Sequence, residues 1–207
     1  LTDTTDAADI EFTGALITPT LTTAAQGYDL KLFGSGTIIT NDINFLNTGA
    51  VTLGDNAADT LTFTGGLATI SNATNPSGTN LAGTIATTNT NMDLGASTAT
   101  AAITLSAGTG TITMASSLAG GANALTFTAD EINFSGGVNS ITGTSIILLQ
   151  PSTVGTSIGI GGGAGTLEIS DTDIAALTDG YTLITIGQLL GAHTIIIDTT
   201  TFTDPAT

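Results

Sequence analysis

The 207-residue chain has no cysteine, no tryptophan and no arginine, and Lys31 is its only lysine. Without cysteine, neither a disulfide framework nor a thiolate metal site can be built. With so few cations nothing can neutralise phosphates, and 17 Asp and Glu bring the net charge to −16; nucleic acid and anionic membrane surfaces are therefore not expected partners. Mean hydropathy is positive, at +0.40. No run of about 18 uncharged apolar residues occurs, however, and no membrane insertion is expected. A trypsin-like protease finds only Lys31, which suits exposure outside a cell and equally suits a simply acidic, low-cost composition. The chain opens without an initiator Met or a basic leader and reads as a processed or excised piece of a longer protein.

Short apolar alternations separated by Gly, Ser, Thr and Asn fill the sequence instead. Ile10-Glu11-Phe12, Leu30-Lys31-Leu32, Ile43-Asn44-Phe45, Val51-Thr52-Leu53, Leu61-Thr62-Phe63 and Leu125-Thr126-Phe127 share one form. In an extended backbone the outer two residues of each point the same way. Turn signals between these alternations vary in length and lack regular Asn-Gly or Asp-Gly pairs, so lateral stacking fits better than hairpins. One series, Phe45, Phe63, Ile85, Leu105, Phe127, Leu148, Ile169, steps by about 20 residues, and a second runs Leu94, Met114, Phe134. The reading is all-β: a single parallel β-solenoid over 1–207, about ten coils of about 20 residues and roughly 50 Å long. Core positions are Ile10, Phe12, Leu30, Leu32, Phe45, Phe63, Leu105, Phe127, Leu148 and Ile169. In 146–148, Ile146 and Leu148 are expected to point inward.

Residues 72–81, with Pro76-Ser77-Gly78, read as a loop-rich interruption. After Pro151 a glycine-rich corner and a short helix insertion occupy 159–180. The helix is expected near 171–178, with Ser170 and Asp173 as an acidic capping box and Gly180 as its stop.

The stretch 145–197 resembles the repetitive regions of large secreted bacterial exoproteins of the filamentous haemagglutinin-like, two-partner secretion type. The resemblance is carried by Leu149-Gln150-Pro151, Ser157-Ile158-Gly159-Ile160-Gly161, Leu167-Glu168-Ile169-Ser170 and Leu183-Ile184-Thr185-Ile186-Gly187, and the closing Phe202-Thr203-Asp204-Pro205 looks like the phrase that opens the next block. It implies a right-handed parallel β-helix displayed outside the cell or on its surface as an adhesin, fibre or biofilm matrix component. Read tail into head, the chain gives FTDPATLTD, a continuous strand-and-turn passage. The unit is therefore expected to repeat within a giant chain or to stack end to end with itself. Candidate assembly edges are Ile10, Phe12, Ile195, Ile197 and Phe202, since an uncapped solenoid end is a template for another copy.

Chemical signals are thin, and no enzyme activity or cofactor is expected. Gly159 through Ala164 satisfies a loose G-x-G-x-x-A, but strand rather than helix follows, so a tight corner is the reading. Gly162-Gly163-Ala164-Gly165 opens like a calcium-binding nonapeptide of secreted β-rolls, yet Leu167 stands at the ligand position. Asp171 and Asp173 form a D-x-D that could collect Ca²⁺ only loosely, with Thr182 where an EF-hand needs Glu. His193, the single histidine, is a corner residue by default. Asp29, Asp42, Asp130 and Glu131 are the carboxylates a glycosidase would draw on. Pairs such as Thr60/Thr62, Thr111/Thr113 and Thr126/Thr128 raise an ice-binding alternative, which requires register between coils. Surface glycans are a further alternative partner, for which exposed aromatic platforms are scarce.

Overall fold

The computed structural model describes residues 1, 9–70 and 74–207. Its first coil carries β1 (Asp9–Phe12) and β2 (Ile17–Thr18); the second β3 (Asp29–Leu32), β4 (Thr37–Ile39) and β5 (Ile43–Asn44). The third carries β6 (Val51–Leu53), β7 (Thr60–Phe63) and β8 (Leu67–Ala68), and the fourth β9 (Thr79–Thr87) and β10 (Met92–Leu94). One long strand, β11 (Ser97–Met114), makes the fifth; β12 (Leu118–Ala119) and β13 (Leu125–Phe134) make the sixth. Then follow β14 (Ile141–Thr142), β15 (Ile146–Gln150), β16 (Ile158–Ile160), β17 (Leu167–Ile169), α1 (Asp171–Ala176), β18 (Leu183–Ile186) and β19 (Ile195–Ile197).

Every pairing between these strands is parallel and joins one coil to another, except that of β16 with its near neighbour β17. The chain is a parallel β-solenoid of about six regular turns of about 22 residues. Three faces result. The first stacks β1, β3, β6, the starts of β9 and β11, β12 and β14. The second stacks β2, β4, β7, the end of β9, the middle of β11, the start of β13, β15 and β18. The third stacks β5, β8, β10 and the ends of β11 and β13. Fewer regular turns form than the ten expected, because each takes more residues and the chain beyond β15 adds its layers irregularly.

Alternation inside the strands makes the core. Leu30, Leu32, Phe45, Phe63, Leu105, Phe127 and Ile169 are fully buried, and Ile10 and Phe12 are half-buried at the open start. Phe127 meets Phe134 edge-on at 5.2 Å, joining the second face to the third across the bore. Each such side chain contributes about 1.5–3 kcal/mol by leaving water. The series Leu94, Met114, Phe134 is a true inward column. Of the other series only Ile85, Leu105 and Phe127 stack in register; Leu61 rather than Phe63 lies beside Ile85, and Phe45 and Ile169 belong to the third face.

Leu148 and Ile146 are corrections. Leu125 pairs with Ile147 and Phe127 with Leu149, so Ile147 and Leu149 are buried, whereas Ile146 is 47% exposed and Leu148 half-buried. A run of four apolar residues has no alternation to fix its register, and a slip of one residue exchanges the faces.

Corners are made by bulges and by polar side chains. In β11 the register with β13 slips around Gly108, whose φ of +58° is in the left-handed region that a glycine adopts freely. Thr79–Leu81 belongs to β9, so the interruption expected over 72–81 is shorter; Asn72 and Ala73 lie outside the described residues. The helix matches its capping box, with the Asp173 N–H donating to the Ser170 side chain and the Ser170 N–H to the Asp173 carboxylate. It stops at Ala176, before Gly180, because Leu177 turns extended and bridges to Ile141.

The third face continues unusually. After β15 the chain runs out to β16, doubles back through 161–166 and lays β17 beside it; β19 then borders the other edge of β16. A parallel crossover this short requires glycine, since a Cβ on Gly159 would sit 1.8 Å from the Gly163 carbonyl oxygen. Residue 159 is thus strand, and the corner proper is 161–166.

In this register Leu149→Asp buries an unpaired charge and lowers stability by about 3 kcal/mol or more, whereas Leu148→Asp is tolerated. Thermal melting of the two variants checks it, and Phe127→Asp should match the damage of Leu149→Asp.

Candidate assembly edges

The first strand, β1, is bonded along one edge. Asp9–Phe12 lie against Asp29–Leu32, and among the described residues no strand borders the other side. Ile10 and Phe12 face inward opposite Leu30 and Leu32. Lys31 Nζ lies 2.5 Å from the Asp9 carboxylate, and this hydrogen bond holds the lysine pKa above its usual range. The pair is exposed, so its contribution to stability is small. Buried Tyr28 fastens the start of the chain: its hydroxyl donates to the Leu1 carbonyl at 3.0 Å and accepts from the Ala24 N–H at 3.0 Å. The Ala24 N–H also reaches the Leu1 carbonyl, at 3.2 Å, which sets Leu1 beside 22–24 on the third face.

At the opposite end Ile195 and Ile197 pair with the buried Ile158 and Ile160 and point inward as they do. They are nevertheless 47% and 65% exposed, because no further layer covers them. With Ile160, Ile186, Phe202 and Ala206 they line an open hollow of about 300 Å³, the solenoid's own interior left unroofed. The tail supplies a last rung on the second face: the Ile184 N–H donates to the Pro205 carbonyl and the Ile186 N–H to that of Thr207, both at 2.9 Å. The five expected edge residues therefore form two groups at the two ends: Ile10 and Phe12 at one, Ile195, Ile197 and Phe202 at the other. Sequence reasoning missed Leu1, Tyr28 and Ile186, and also Leu189 and Leu190, which stand 99% and 88% exposed. That adjacent leucine pair, in a loop rather than a strand alternation, was the available signal.

The remaining candidates are tied into the scaffold. The Asp173 carboxylate accepts from the Phe134 N–H at 2.7 Å and from Ser170, while Asp171 accepts from the Thr200 hydroxyl at 2.9 Å. The two halves of the D-x-D thus serve different partners. His193 bonds the Thr156 carbonyl through Nδ1 at 2.8 Å and accepts the Gln188 N–H at Nε2, so the ring pins a corner. Asp29 accepts from the Ala50 N–H, Asp130 from Ser152, and Glu131 from the Glu168 N–H. Asp42 accepts from the Asn44 side chain at 3.4 Å. Glu131 and Asp173 bridge the place where the third-face ladder breaks between β13 and β17. Among the described residues, no three His, Asp or Glu side chains gather as metal ligands, and no helix is long and apolar enough to cross a membrane. No family model matches the chain, and no curated protein or solved structure is significantly similar to it.

Burial raises the Glu131 pKa, opposed by the Glu168 N–H and reinforced by the Asp173 and Glu168 carboxylates. The folded chain then holds this proton more tightly than the unfolded one, so the group's penalty grows as pH rises through the raised value. Glu131→Gln is expected to raise the melting temperature at pH 7 and leave it unchanged below the carboxylate range, as melts at the two pH values will show. Asp173→Ala should cost about 3 kcal/mol at neutral pH by stranding the Phe134 and Ser170 donors, measurable by denaturant titration.

Proposed function

We propose that the chain is a non-enzymatic structural unit of an extracellular or cell-surface fibre, assembled by end-to-end stacking of β-helical units. The observation that carries this is the complementarity of the two ends. Each coil visits the first, second and third faces in that order. The tail leaves on the second face, as a rung over β18, and Leu1 lies on the third, the face that comes next. A second copy set on the open end brings its Leu1 segment to the free edge of β19 and its Ile17–Thr18 strand to the free edge of 205–207. Its Ile10 and Phe12 then roof the hollow beneath Ile195, Ile197 and Phe202.

Such a joint hides apolar side chains and satisfies the edge N–H and C=O groups in one step. The same geometry serves whether the copies are separate molecules or successive segments of one chain. The resemblance to filamentous haemagglutinin-like exoproteins supports the extracellular setting and the fibre. The non-enzymatic reading is supported by carboxylates engaged on neighbouring coils. A glycan-binding adhesin is the weaker alternative, because Tyr28, Tyr181 and most of the Phe side chains are buried instead of displayed.

Purified protein should form linear assemblies whose mass rises with concentration, seen by light scattering and electron microscopy as thin filaments. Ile197→Lys, at an exposed end position, should abolish them while leaving the melting temperature within a few degrees of the parent. A parent chain that stays monomeric at every concentration contradicts the proposal.

A further inference from the structure

The second face carries a regular array that the stacking function does not use. Thr60, Thr84, Thr104 and Thr126 lie one above another on four successive coils, each the pairing partner of the next. Two residues along each strand is a second column, Thr62, Ala86, Ser106 and Thr128. No register slip occurs within this block, and all eight positions point away from the core. The array therefore repeats at about 4.8 Å along the rod and about 6.6 Å across it. β-Branched Thr restricts χ1, so its hydroxyl and methyl hold fixed directions.

Two further observations characterise this face. Among the described residues the hydroxyls of Thr62, Thr84, Thr104 and Thr126 have no partner within the chain. The inward Thr37 and Thr87 of the same face instead bond the carbonyls of Gly34 and Thr90, and at the rim of the array Thr60 meets Ser35 and Thr128 accepts from the Gln150 side chain. Charge is segregated as well. The first face carries Asp9, Glu11, Asp29 and Lys31 and the third Asp93 and Glu131, yet no second-face strand from Ile17 to Ile186 contains an ionisable residue. In a chain of net charge −16 that leaves one neutral surface of ordered hydroxyls and methyls.

We propose that this face binds ice. A neutral hydrogen-bonding lattice is its electrostatic complement, and the array, like a crystal face, repeats in two directions. A second copy fits less well. Eight rungs at about 4.8 Å and a strand about 10 Å wide offer on the order of 400 Å², against about 800 Å² per partner in a stable complex. A sugar surface would call for aromatic platforms, and no outward position of the face holds one. A preformed rigid array also loses little freedom when it meets a crystal.

The test is thermal hysteresis and ice-crystal shape for the purified chain, for Thr104→Lys in the centre of the array, and for Thr113→Lys on the third face as a control. All three are first shown to be folded by circular dichroism and melting. The parent and Thr113→Lys should shape ice crystals and hold a freezing gap, and Thr104→Lys should fall to the level of buffer. Disc-shaped, unfaceted growth with the parent chain overturns the proposal, as does equal loss in both variants. Lateral dimers abolished by Thr104→Lys without any effect on ice would overturn it in favour of a second copy as the occupant.

Discussion

Parallel pairing between residues about 22 apart is the constraint on which this molecule depends. A coil can bond to the next only if it closes at the same phase, and closing forces three faces, three corners and a bore lined by inward residues. Apolar alternation fills the bore, but the corners need more. There the ladder is interrupted, and backbone N–H groups find other partners. Polar side chains of the adjacent coil supply them: Thr23 accepts from the Leu46 N–H at 2.7 Å, Asn89 from the Thr109 N–H at 3.0 Å, and Asn91 from the Thr111 N–H at 3.2 Å. The abundance of Thr, Asn and Asp at these points is thus a structural requirement as much as a solubility device.

Much of the fold was legible because the signal is local. Val51-Thr52-Leu53 and Met92-Asp93-Leu94 state by themselves which residues go inward, and the structure places them so. What was not legible depends on register between distant segments. The run Ile146 through Leu149 offers apolar side chains to both sides, and only pairing with Leu125 and Phe127 decides that Ile147 and Leu149 enter the core. Coil lengths drift because corners differ, so a 20-residue count carried Phe45 and Ile169 onto the wrong face. The doubling back of β17 beside β16 is invisible in sequence apart from the glycines that make room for it. Of the end residues, Ile10-Glu11-Phe12 shows its inward side by alternation, whereas Ile195 through Ile197 is an unbroken apolar run whose inward side is set by pairing with Ile158 and Ile160. The alignment of Thr60, Thr84, Thr104 and Thr126 was not, because steps of 20 to 24 residues look irregular until the corners between them are known.

The distribution of surface chemistry follows from the same geometry. A solenoid turns sequence position into face and layer, so a property repeated once per coil becomes a stripe. Ionisable residues within the strands fall on the first and third faces, and a block of Thr hydroxyls without partners in the chain falls on the second.

Register between coils is therefore the claim to test most directly, and the absence of cysteine makes the test clean. Paired cysteines at Thr126 and Leu148, pairing partners that both face outward, stand about 4.8 Å apart at Cα, within disulfide range. Mild oxidation should cross-link this pair rapidly in the folded chain and leave a pair at Thr126 and Ile147, on opposite sides of the sheet, reduced. Cross-linking of the second pair in place of the first would contradict the register and the arrangement of faces built on it.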